Sequence, residues 1–461
     1  MIYKKFLEVT EHYGNSLFLA DFNKKFTYKQ ALVHVKNIAR AIDRNKKERV
    51  YFYASDSAFL AIALLSTDML GLEVCIINRQ ANIAEVEKTI GKIGPGLLIT
   101  DCMEAQWQVP HIQSITNLFE GQVHPVKKSD IYGSFPLSFG KVIILTTGTT
   151  GIPKAVLYDW KRLLAQVSIV SGEFRARWLA IYPLNHFAGI QLFIHTLSNG
   201  NTLIFPRTRQ IEDILQSIRK FRINAISATP TFFRIFTGQI NEQIAKTLPL
   251  RHITLGGEIC TLDILEKLKR LFPSASISQV YATTELGSCF SVKDGLPGFP
   301  NSYLNRRVGN VEIRIIDGEL YIRSLHSMIS YINGLMPETY GDWVATGDLV
   351  EVVGERVYFR GRKNETINVG GVKVFPQKVE EVILTVPGVL GVRAYGKSNP
   401  ITGQIVAVDV QVSKSTDLQV TIELIKQRTR TELNRYEQPR DVRFVSSLVK
   451  RNEKIVRRIN V

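Results

Sequence analysis

The chain contains the stretch Leu145-Thr146-Thr147-Gly148-Thr149-Thr150-Gly151-Ile152-Pro153-Lys154, directly after the apolar run Val142-Ile143-Ile144. This order predicts a buried strand that leads into a polar loop. Glycine lets the backbone approach a ligand closely, threonine hydroxyls and backbone N–H groups form a concave anion site, and Lys154 supplies a mobile positive charge. The segment therefore predicts a loop that binds phosphate groups.

Two other interpretations of this loop fit less well. The P-loop of common NTPases ends in Gly-Lys followed by Ser or Thr, whereas Pro153 precedes Lys154 here and Ala155 follows it. A loop that is merely rich in turn-forming residues would explain the glycines and Pro153, but not four threonines beside a lysine. The sequence thus favours a phosphate site of another kind.

Length and composition indicate an ordinary globular protein of more than one domain. The chain has 461 residues, of which 45% are hydrophobic and 22% charged, and a chain of this length exceeds what one hydrophobic core normally supports. The longest apolar run, residues 58–65, is far shorter than the ~20 residues that span a bilayer. Residues 1–16 lack the apolar core of a secretory signal. We expect a cytoplasmic protein with no transmembrane segment.

The formal net charge of +16 exceeds what solubility requires and suggests an anionic partner. Nucleotides, coenzyme A, an acidic carrier protein, nucleic acid and anionic lipid would all fit, and so would a basic proteome of origin. No nucleic-acid recognition motif accompanies the charge. The four cysteines show neither metal-ligand nor disulfide spacing, and each is predicted to be a small buried apolar residue: Cys75, Cys102, Cys260 and Cys289.

Short apolar runs alternate with helix-length segments over the first two thirds of the chain. Two of these segments, residues 29–44 and 211–221, are predicted helices. The alternation predicts βαβ units, with parallel sheets covered by helices and with functional residues at the carboxyl ends of the strands. The predicted strands are Val50–Tyr53, Val74–Ile77, Leu97–Thr100, Val142–Leu145, Leu179–Tyr182, Thr202–Phe205, Ala225–Ser227 and Ser276–Val280.

The pattern becomes antiparallel after Val308. Asp317-Gly318 and Gly354-Glu355 each separate two apolar runs, which predicts two tight hairpins. A polar junction follows at residues 360–365, and the remaining ~100 residues have the size of a small α+β domain. We therefore predict two domains, residues 1–362 and residues 363–461.

The chain resembles the adenylate-forming superfamily of acyl-CoA synthetases, carrier-protein adenylation domains and luciferases. The resemblance covers nearly the whole length, and its motifs occur in the family's order. They are Phe26-Thr27-Tyr28, Leu70-Gly71, the loop that ends at Lys154, Pro183-Leu184-Asn185-His186-Phe187-Ala188-Gly189, Gly256-Gly257-Glu258, Tyr281-Ala282-Thr283-Thr284-Glu285, residues 343–348, Gly361-Arg362 and Asn452-Glu453-Lys454.

This resemblance implies a fold and a reaction. The implied fold is α/β, with a large N-terminal domain of parallel and mixed sheets flanked by helices, a small β-barrel-like subdomain and a small mobile C-terminal α+β domain. The implied reaction uses ATP and Mg²⁺ to convert a carboxylic acid to acyl-AMP and pyrophosphate, after which a thiol displaces AMP. Coenzyme A is the expected thiol, and a phosphopantetheinyl carrier protein is the alternative.

The resemblance also assigns roles to the nucleotide-binding residues. Ala155 stands where the family usually has glycine, which would stiffen the phosphate loop slightly. The implied phosphate-loop residues are Thr146, Thr147, Gly148, Thr149, Thr150, Gly151 and Lys154. The residues implied to bind adenine and ribose are Gly256, Gly257, Glu258, Tyr281, Ala282, Thr284, Asp348 and Arg362. The implied magnesium ligand is Glu285, with Thr149 as a second magnesium ligand.

Four positions in the predicted C-terminal domain receive roles in the same way. Lys454 is implied to bridge the attacking carboxylate and the α-phosphate, where it stabilises developing charge, although Glu453 replaces the usual glycine beside it. Asn364 takes the hinge position, where relatives carry aspartate or lysine. Gly370 and Gly371 are expected to line the thiol channel, since glycine leaves room for a thin chain.

The acid substrate is expected to be an aryl or fatty acid. His186 lies where relatives place a side chain against the substrate carboxylate, and Phe187 stands near the position where amino-acid-activating relatives carry aspartate. Gly189, Thr229 and Pro230 complete the predicted acyl pocket. A non-catalytic nucleotide-binding protein of the same fold is the alternative from another class, but it would be expected to have lost functional residues that this chain retains.

Overall fold

The computed structural model describes residues 1–43, 48–103, 107–115, 140–146, 154–170, 175–332, 336–413, 416–448, 450–451 and 454–455, without the side chains of residues 43, 450–451 and 454–455. The chain forms two compact units. Unit 1 comprises Met1–Ser227, Thr283–Gly287 and His326–Met336, and unit 2 comprises Ala228–Ala282, Ser288–Leu325 and Pro337–Val461.

The helices are α1 (Ile2–Tyr13), α2 (Tyr28–Asp43), α3 (Ser57–Met69), α4 (Ile83–Ile93), α5 (Trp160–Leu164), α6 (Phe187–Ser198), α7 (Ile211–Phe221), α8 (Pro230–Gly238), α9 (Glu242–Thr247), α10 (Leu262–Leu271), α11 (Pro376–Leu384) and α12 (Leu418–Glu432). Single 3-10 turns occupy Asn301–Tyr303 and Lys363–Glu365.

The strands are β1 (Leu17–Ala20), β2 (Lys25–Thr27), β3 (Arg49–Tyr53), β4 (Glu73–Ile76), β5 (Leu97–Thr100), β6 (Ile112–Ser114), β7 (Lys141–Thr146), β8 (Lys154–Asp159), β9 (Arg177–Ala180), β10 (Thr202–Ile204), β11 (Ala225–Ala228), β12 (His252–Gly256), β13 (Ser276–Thr283), β14 (Gly287–Val292), β15 (Phe299–Pro300), β16 (Arg307–Val308), β17 (Val311–Ile316), β18 (Glu319–Ser324), β19 (Ser330–Tyr331), β20 (Thr339–Tyr340), β21 (Trp343–Val353), β22 (Arg356–Arg362), β23 (Ile367–Val369), β24 (Val372–Val374), β25 (Val389–Asn399), β26 (Gly403–Val412), β27 (Asp441–Phe444), β28 (Lys450–Arg451) and β29 (Lys454–Ile455).

One sheet of unit 1 has the strand order β19–β8–β7–β4–β3–β5–β6. Strands β3 to β7 run parallel, while β8 is antiparallel to β7 and β19 is antiparallel to β8. The central strands come from short apolar runs that are buried on both faces, which is the pattern of a parallel sheet covered by helices. The sequence-based prediction of these strands is confirmed.

The sequence of helix α4 determines where this covering helix begins and which of its faces is buried. Asn82 caps its first turn by accepting a hydrogen bond from the backbone of Glu85, whose carboxylate accepts one from the backbone of Asn82 in return. Such a capping box satisfies two backbone donors that the helix itself leaves unpaired. Val86, Ile90 and Ile93 then lie on one face and pack into the core beneath the sheet, as a spacing of three to four residues requires.

The other sheet of unit 1 joins β11, β9, β10, β1 and β2. Parallel pairing connects β11 to β9, β9 to β10 and β10 to β1, while β2 is antiparallel to β1. The strands of both sheets alternate with helices, as the sequence predicted. Strand β9 ends two residues earlier than predicted, at Ala180, and α7 covers the predicted residues 211–221.

Unit 2 contains the parallel pair β12–β13 and an antiparallel sheet in the order β15–β22–β21–β18–β17–β16. Both predicted hairpins are present in this sheet. In the first, Asp317 and Gly318 have φ values of 50° and 75°. Positive φ at both central residues is the requirement of a type I′ turn, whose twist matches the twist of the flanking strands.

The C-terminal part of unit 2 is an α+β module. Its sheet has the order β24–β23–β26–β25, with β27 parallel to β26, and its helices are α11 and α12. Val374, Ile383, Val408 and Ile425 belong to its apolar core. The α+β class agrees with the sequence analysis, whereas the domain boundary at residue 363 stays a prediction.

Two further predictions concern cysteines and membranes. Cys75, Cys260 and Cys289 are buried, and Cys102 is half-buried. Burial raises the pKa of Cys75 and of Cys260 to about 12, so both thiols remain protonated at neutral pH. Within the described ranges, no helix has the length and apolar composition that a membrane crossing requires.

Candidate active site

The predicted phosphate loop connects two antiparallel strands of unit 1. Thr146 is the last residue of β7, Lys154 is the first residue of β8, and the two are register partners. Residues 147–153 lie outside the described part of the chain. The roles predicted for the loop residues between these strands therefore stay predictions: Thr147, Gly148, Thr149, Thr150 and Gly151.

Lys154 and Glu285, the predicted phosphate and metal residues, both contact Tyr331. The Tyr331 hydroxyl donates a hydrogen bond of 2.7 Å to Oε1 of Glu285, and the Lys154 ammonium lies 4.9 Å from the centre of the Tyr331 ring. All three residues belong to unit 1. The structure thus places a cation and an anion against the same side chain, although Lys154 and Glu285 are 131 positions apart in the sequence.

Backbone contacts fix Tyr331 and Glu285 in place. Tyr331 pairs with Val156 of β8, two residues beyond Lys154. The carbonyl of Glu285 accepts hydrogen bonds from the backbone N–H of Met328, at 2.8 Å, and from the hydroxyl of Tyr158, at 3.2 Å. Tyr331 and Glu285, which form the hydrogen bond, are therefore both attached to the same sheet of unit 1.

The chemistry of Glu285 suits a magnesium ion. Oε1 accepts the Tyr331 hydrogen bond, and among the described residues none donates a hydrogen bond to Oε2, so this carboxylate keeps acceptor capacity. In the described ranges, no group of three His, Cys, Asp or Glu side chains could hold a metal ion. Magnesium needs only one or two protein carboxylates when nucleotide phosphates supply further oxygens.

Tyr331 is a residue that the sequence analysis missed. It is buried, and burial together with the neighbouring Glu285 carboxylate raises the pKa of Tyr331 above its usual value. Its hydroxyl is therefore a hydrogen-bond donor at neutral pH. The available signal was weak, because a tyrosine in a short apolar run indicates only that its hydroxyl needs a partner.

A cavity of about 230 Å³ lies within unit 2. It is lined by most of the residues predicted to bind adenine and ribose, together with residues of α11 and β25. Of the predicted set, the lining residues are Gly257, Glu258, Tyr281, Ala282, Asp348 and Arg362. Gly256 and Thr284 do not line the cavity, and all the individual roles stay predictions.

Asp348 is the centre of a hydrogen-bonded group at this cavity. Its Oδ2 accepts a 2.5 Å hydrogen bond from the hydroxyl of Tyr281, and its Oδ1 lies 2.8 Å from Nε of Arg362. Arg362 also donates to the carbonyl of Thr346 at 3.0 Å. An ionised carboxylate accepts hydrogen bonds on both of its oxygens, and this chemistry suits the ribose hydroxyls that Asp348 is predicted to bind.

The ring of Tyr281 belongs to an aromatic cluster. It is stacked on Phe290 and on Phe359, with centroid distances of 5.1 Å and interplanar angles of 18° and 16°. Burial, followed by the charge of Asp348, raises the pKa of Tyr281 well above its usual value. The tyrosine is thus a fixed donor to Asp348, while its predicted stacking on adenine stays a prediction.

Glu258 provides a second polar group at the cavity. Its Oε2 accepts a 3.0 Å hydrogen bond from the backbone of Thr231. Its Oε1 is buried and has no hydrogen-bond partner among the described residues. A buried acceptor without a partner is costly, so Oε1 fits a donor on a bound ligand. Gly257 beside it has a φ of 82°, a conformation that glycine adopts most readily.

The residues predicted for the acid substrate have clear structural positions. His186 is the N-cap residue of α6, and Phe187 begins that helix and is buried. A Cβ on Gly189 would overlap the carbonyl oxygen of Pro183, so this glycine allows close backbone packing in unit 1. In unit 2, Thr229 caps α8 by accepting a hydrogen bond from the backbone of Phe232, and Pro230 is the first residue of that helix.

The hinge and tail predictions lie in unit 2. Asn364 is part of the 3-10 turn Lys363–Glu365. Gly370 and Gly371 form the turn between β23 and β24, with φ values of 59° and 89°, where a side chain would be strained. Lys454 begins β29, which pairs with β28, and its side chain lies outside the described atoms.

A family model described as AMP-binding enzyme matches residues 6–332. A second model, described as the AMP-binding enzyme C-terminal domain, matches residues 378–454. The chain belongs to the AMP-binding enzyme family. Membership of the AMP-binding enzymes agrees with the resemblance on which the site residues were predicted, and the α/β fold with its C-terminal module agrees with the fold that this resemblance implies.

Named relatives of this AMP-binding enzyme include CoA ligases. The 2-succinylbenzoate–CoA ligase of Lactococcus lactis is 24% identical over 453 residues, which cover 95% of each chain. Among solved structures, an anthranilate CoA ligase in complex with anthranoyl-AMP has a TM-score of 0.84 at 18% identity, with 98% of this chain and 95% of the other covered.

A further solved relative is the o-succinylbenzoate coenzyme A synthetase from Bacillus subtilis. Its complex with ATP and a magnesium ion has a TM-score of 0.78 at 19% identity, with 98% of both chains covered. At this level of identity, the structural likeness establishes a shared fold.

Proposed function

We propose that this protein activates a carboxylic acid with ATP and Mg²⁺ to give acyl-AMP and pyrophosphate, and then transfers the acyl group to coenzyme A. The observation that carries the proposal is the meeting of Lys154 and Glu285 at Tyr331. A phosphate-binding cation and a metal-binding carboxylate in contact with one side chain match the needs of a metal–triphosphate complex. Similarity to a CoA ligase over 95% of both chains supports the same reaction.

The first step forms a bond between a carboxylate oxygen of the acid and the α-phosphorus of ATP. The bond from that phosphorus to the pyrophosphate oxygen breaks, and pyrophosphate leaves. Catalysis of this kind depends on positioning and on charge neutralisation. We assign Asp348 and Arg362 to the ribose, Lys154 to the leaving phosphates and Lys454 to the charge that develops between the reactants.

Glu285 is the residue that we assign to Mg²⁺, with Thr149 as the second candidate. When bound, the ion neutralises phosphate oxygens and holds the triphosphate in one conformation. Tyr281, one of the residues assigned to the nucleoside, is close to Glu285 in the chain, since three residues separate the two.

In the second step, the thiol sulfur of coenzyme A attacks the acyl carbon. The bond between that carbon and the AMP oxygen breaks, AMP leaves with the electron pair, and the thiol proton passes to solvent. We place Gly370 and Gly371 along the path of the pantetheine chain. Asn364 is the proposed hinge between residues 1–362 and a C-terminal domain of residues 363–461.

The acid is proposed to be an aromatic or fatty acid. Phe187 is buried near the position where amino-acid-activating enzymes of the resembled superfamily carry aspartate, so no carboxylate is available there for an ammonium group. Acid-dependent exchange between ATP and labelled pyrophosphate tests this directly. We expect exchange with at least one aromatic or fatty acid in a panel of 2-succinylbenzoate, anthranilate, fatty acids and amino acids. Absence of exchange with every acid would refute the enzyme activity.

A carrier protein is the second candidate for the thiol. The net charge of +16 favours it, because the acidic surface of a carrier protein would be attracted to a basic enzyme. Coenzyme A and a phosphopantetheinylated carrier protein are to be supplied separately after adenylation, and thioester formation is to be measured by mass spectrometry. Thioester on coenzyme A alone would exclude the carrier.

A further inference from the structure

Tyr331 makes two different contacts at once. Its hydroxyl donates to the carboxylate of Glu285 at 2.7 Å, and its ring lies beneath the ammonium of Lys154 at 4.9 Å. The first contact needs the oxygen and the second needs the aromatic face. A single side chain therefore holds two charged groups, through chemically separable parts.

The hydroxyl is suited to orienting a metal ligand. Carboxylates that bind metal ions are commonly held by a hydrogen bond from a further residue, which fixes the direction of the remaining oxygen lone pairs. Glu285 accepts such a bond on Oε1, and no described residue donates to Oε2. Tyr331 is 8% exposed, so water competes little for this bond.

The ring is suited to holding a mobile cation. A lysine ammonium over an aromatic face is attracted by the ring's quadrupole, and the attraction is larger where water is partly excluded. Lys154 is the first residue of β8, and its long side chain would otherwise sample many conformers. The ring restricts it to the side of the sheet where Glu285 lies, because Tyr331 pairs with Val156 of the same strand.

We propose that Tyr331 is a positioning residue of the metal–phosphate site, which orients Glu285 for Mg²⁺ through its hydroxyl and Lys154 for the phosphates through its ring. The assignment rests on the proposed function, since it takes Glu285 and Lys154 as ligands of Mg²⁺–ATP. In this role Tyr331 is not itself a ligand of the nucleotide or of the metal ion. It acts through the two residues that it holds.

Two substitutions separate the two contacts. Tyr331→Phe removes the hydroxyl and keeps the ring, and Tyr331→Leu removes both. Calorimetric titration with ATP, in EDTA and then across a range of Mg²⁺ concentrations, measures the response of each. Mg²⁺ is expected to increase the affinity for ATP, and in Tyr331→Phe half of this increase should require an about 10- to 100-fold higher Mg²⁺ concentration than in the wild-type protein. The affinity of Tyr331→Phe for ATP in EDTA should be unchanged. Tyr331→Leu is expected to lose affinity in EDTA as well.

Tyr158→Phe is the matched control. The Tyr158 hydroxyl also donates to Glu285, but to its backbone carbonyl rather than to its carboxylate. Its removal should leave the Mg²⁺ dependence unchanged. An equal shift in Tyr158→Phe and Tyr331→Phe would assign the effect to general loosening of the segment around Glu285, and would overturn the proposal. Thermal melting of each variant identifies losses that come from unfolding.

The titration distinguishes failure of this inference from failure of the proposed function. It needs no acid substrate, so a wild-type protein that binds Mg²⁺–ATP but exchanges pyrophosphate with no acid refutes the reaction and still reports on Tyr331. Wild-type Mg²⁺ dependence in Tyr331→Phe refutes the role of the hydroxyl even if the reaction is confirmed. A wild-type protein that does not bind ATP refutes both.

Discussion

Nε of Arg362 lies 2.8 Å from Oδ1 of Asp348, at the point where the paired strands β21 and β22 border the cavity of unit 2. The Asp348 side chain is 13% exposed and that of Arg362 is 40% exposed. The carboxylate is therefore mostly shielded, while the guanidinium reaches solvent. The contacts with Tyr281 and Arg362 orient the Asp348 carboxylate, which is the group that we assign to the ribose.

Asp348→Asn should weaken ATP binding by about 10- to 100-fold. Hydrogen bonds to a charged group contribute about 1.5–3 kcal/mol, and each 1.4 kcal/mol corresponds to about tenfold in affinity. The amide keeps the size of the side chain but replaces one acceptor oxygen with a donor. Calorimetric titration with ATP measures the loss.

Glu351→Gln is the control for this change. Glu351 and Arg360 form a 2.7 Å ion pair between the same two strands, but both side chains are solvent-accessible, and such pairs contribute at most about 1 kcal/mol to stability. We expect unchanged ATP affinity in Glu351→Gln. Wild-type affinity in Asp348→Asn would remove Asp348 from the ribose site.

Local patterns were sufficient to predict much of the fold. The turn at Asp317-Gly318 was predicted from two residues, because only a few residue types tolerate positive φ at both positions. Helix α7 was predicted from the spacing of its apolar residues, which is also a local property. Both features depend on interactions between residues that are close in the sequence.

The contacts of Tyr331 could not be predicted in that way. The partner of its hydroxyl, Glu285, lies 46 residues earlier in the chain, and the pairing of β19 with β8 sets the contact with Lys154. A short strand of two residues carries no pattern that identifies its neighbour. The roles predicted for the adenine and ribose residues came only from a resemblance, since no periodicity distinguishes Asp348 from other carboxylates.

Gly189 illustrates a different limit of prediction from sequence. The sequence analysis assigned it to the acyl pocket, and that role stays a prediction. In the structure, the space beside its Cα is occupied by the backbone of Pro183. A sequence cannot distinguish a glycine that makes room for a ligand from one that makes room for another segment of the chain.

Gly189→Ala should therefore destabilise the protein. The added methyl group would overlap the carbonyl oxygen of Pro183, and overpacking of this kind typically costs about 1–3 kcal/mol. Denaturant unfolding measures the change. Gly91→Ala, in the interior of α4, is the matched control, because a Cβ there meets no atom within 4 Å. It should stabilise the protein by about 0.5–1 kcal/mol, and equal effects of the two substitutions would contradict the packing argument.

Glu381→Gln should flatten the dependence of stability on pH. Burial, with the neighbouring charge of Glu380, raises the pKa of Glu381 from 4.5 to about 7, against the opposing effects of Arg360 and Arg234. Between these pH values the folded protein holds a proton that the unfolded chain has released. Stability therefore falls as pH rises through this window, by up to about 3 kcal/mol.

The glutamine variant lacks this titration, so its free energy of unfolding should increase relative to that of the wild-type protein from pH 5 to pH 8. Free energies of unfolding at the two pH values give the difference. Glu266→Gln, which removes an exposed carboxylate of α10, is the control for the substitution itself. An advantage of Glu381→Gln that is independent of pH would place the pKa of Glu381 in its ordinary range.

Lys454→Ala should separate the two steps of the proposed reaction. Removal of a group that stabilises developing charge typically costs about 10²- to 10³-fold in rate, so acid-dependent pyrophosphate exchange should fall by that factor. Thioester formation from supplied acyl-AMP and coenzyme A should persist, because the role that we propose for the lysine is limited to the first step. Lys450→Ala, on the paired strand β28, is the control and should retain both steps. Loss of both steps together in Lys454→Ala would show that the lysine supports the structure of the tail rather than the attack on the α-phosphate.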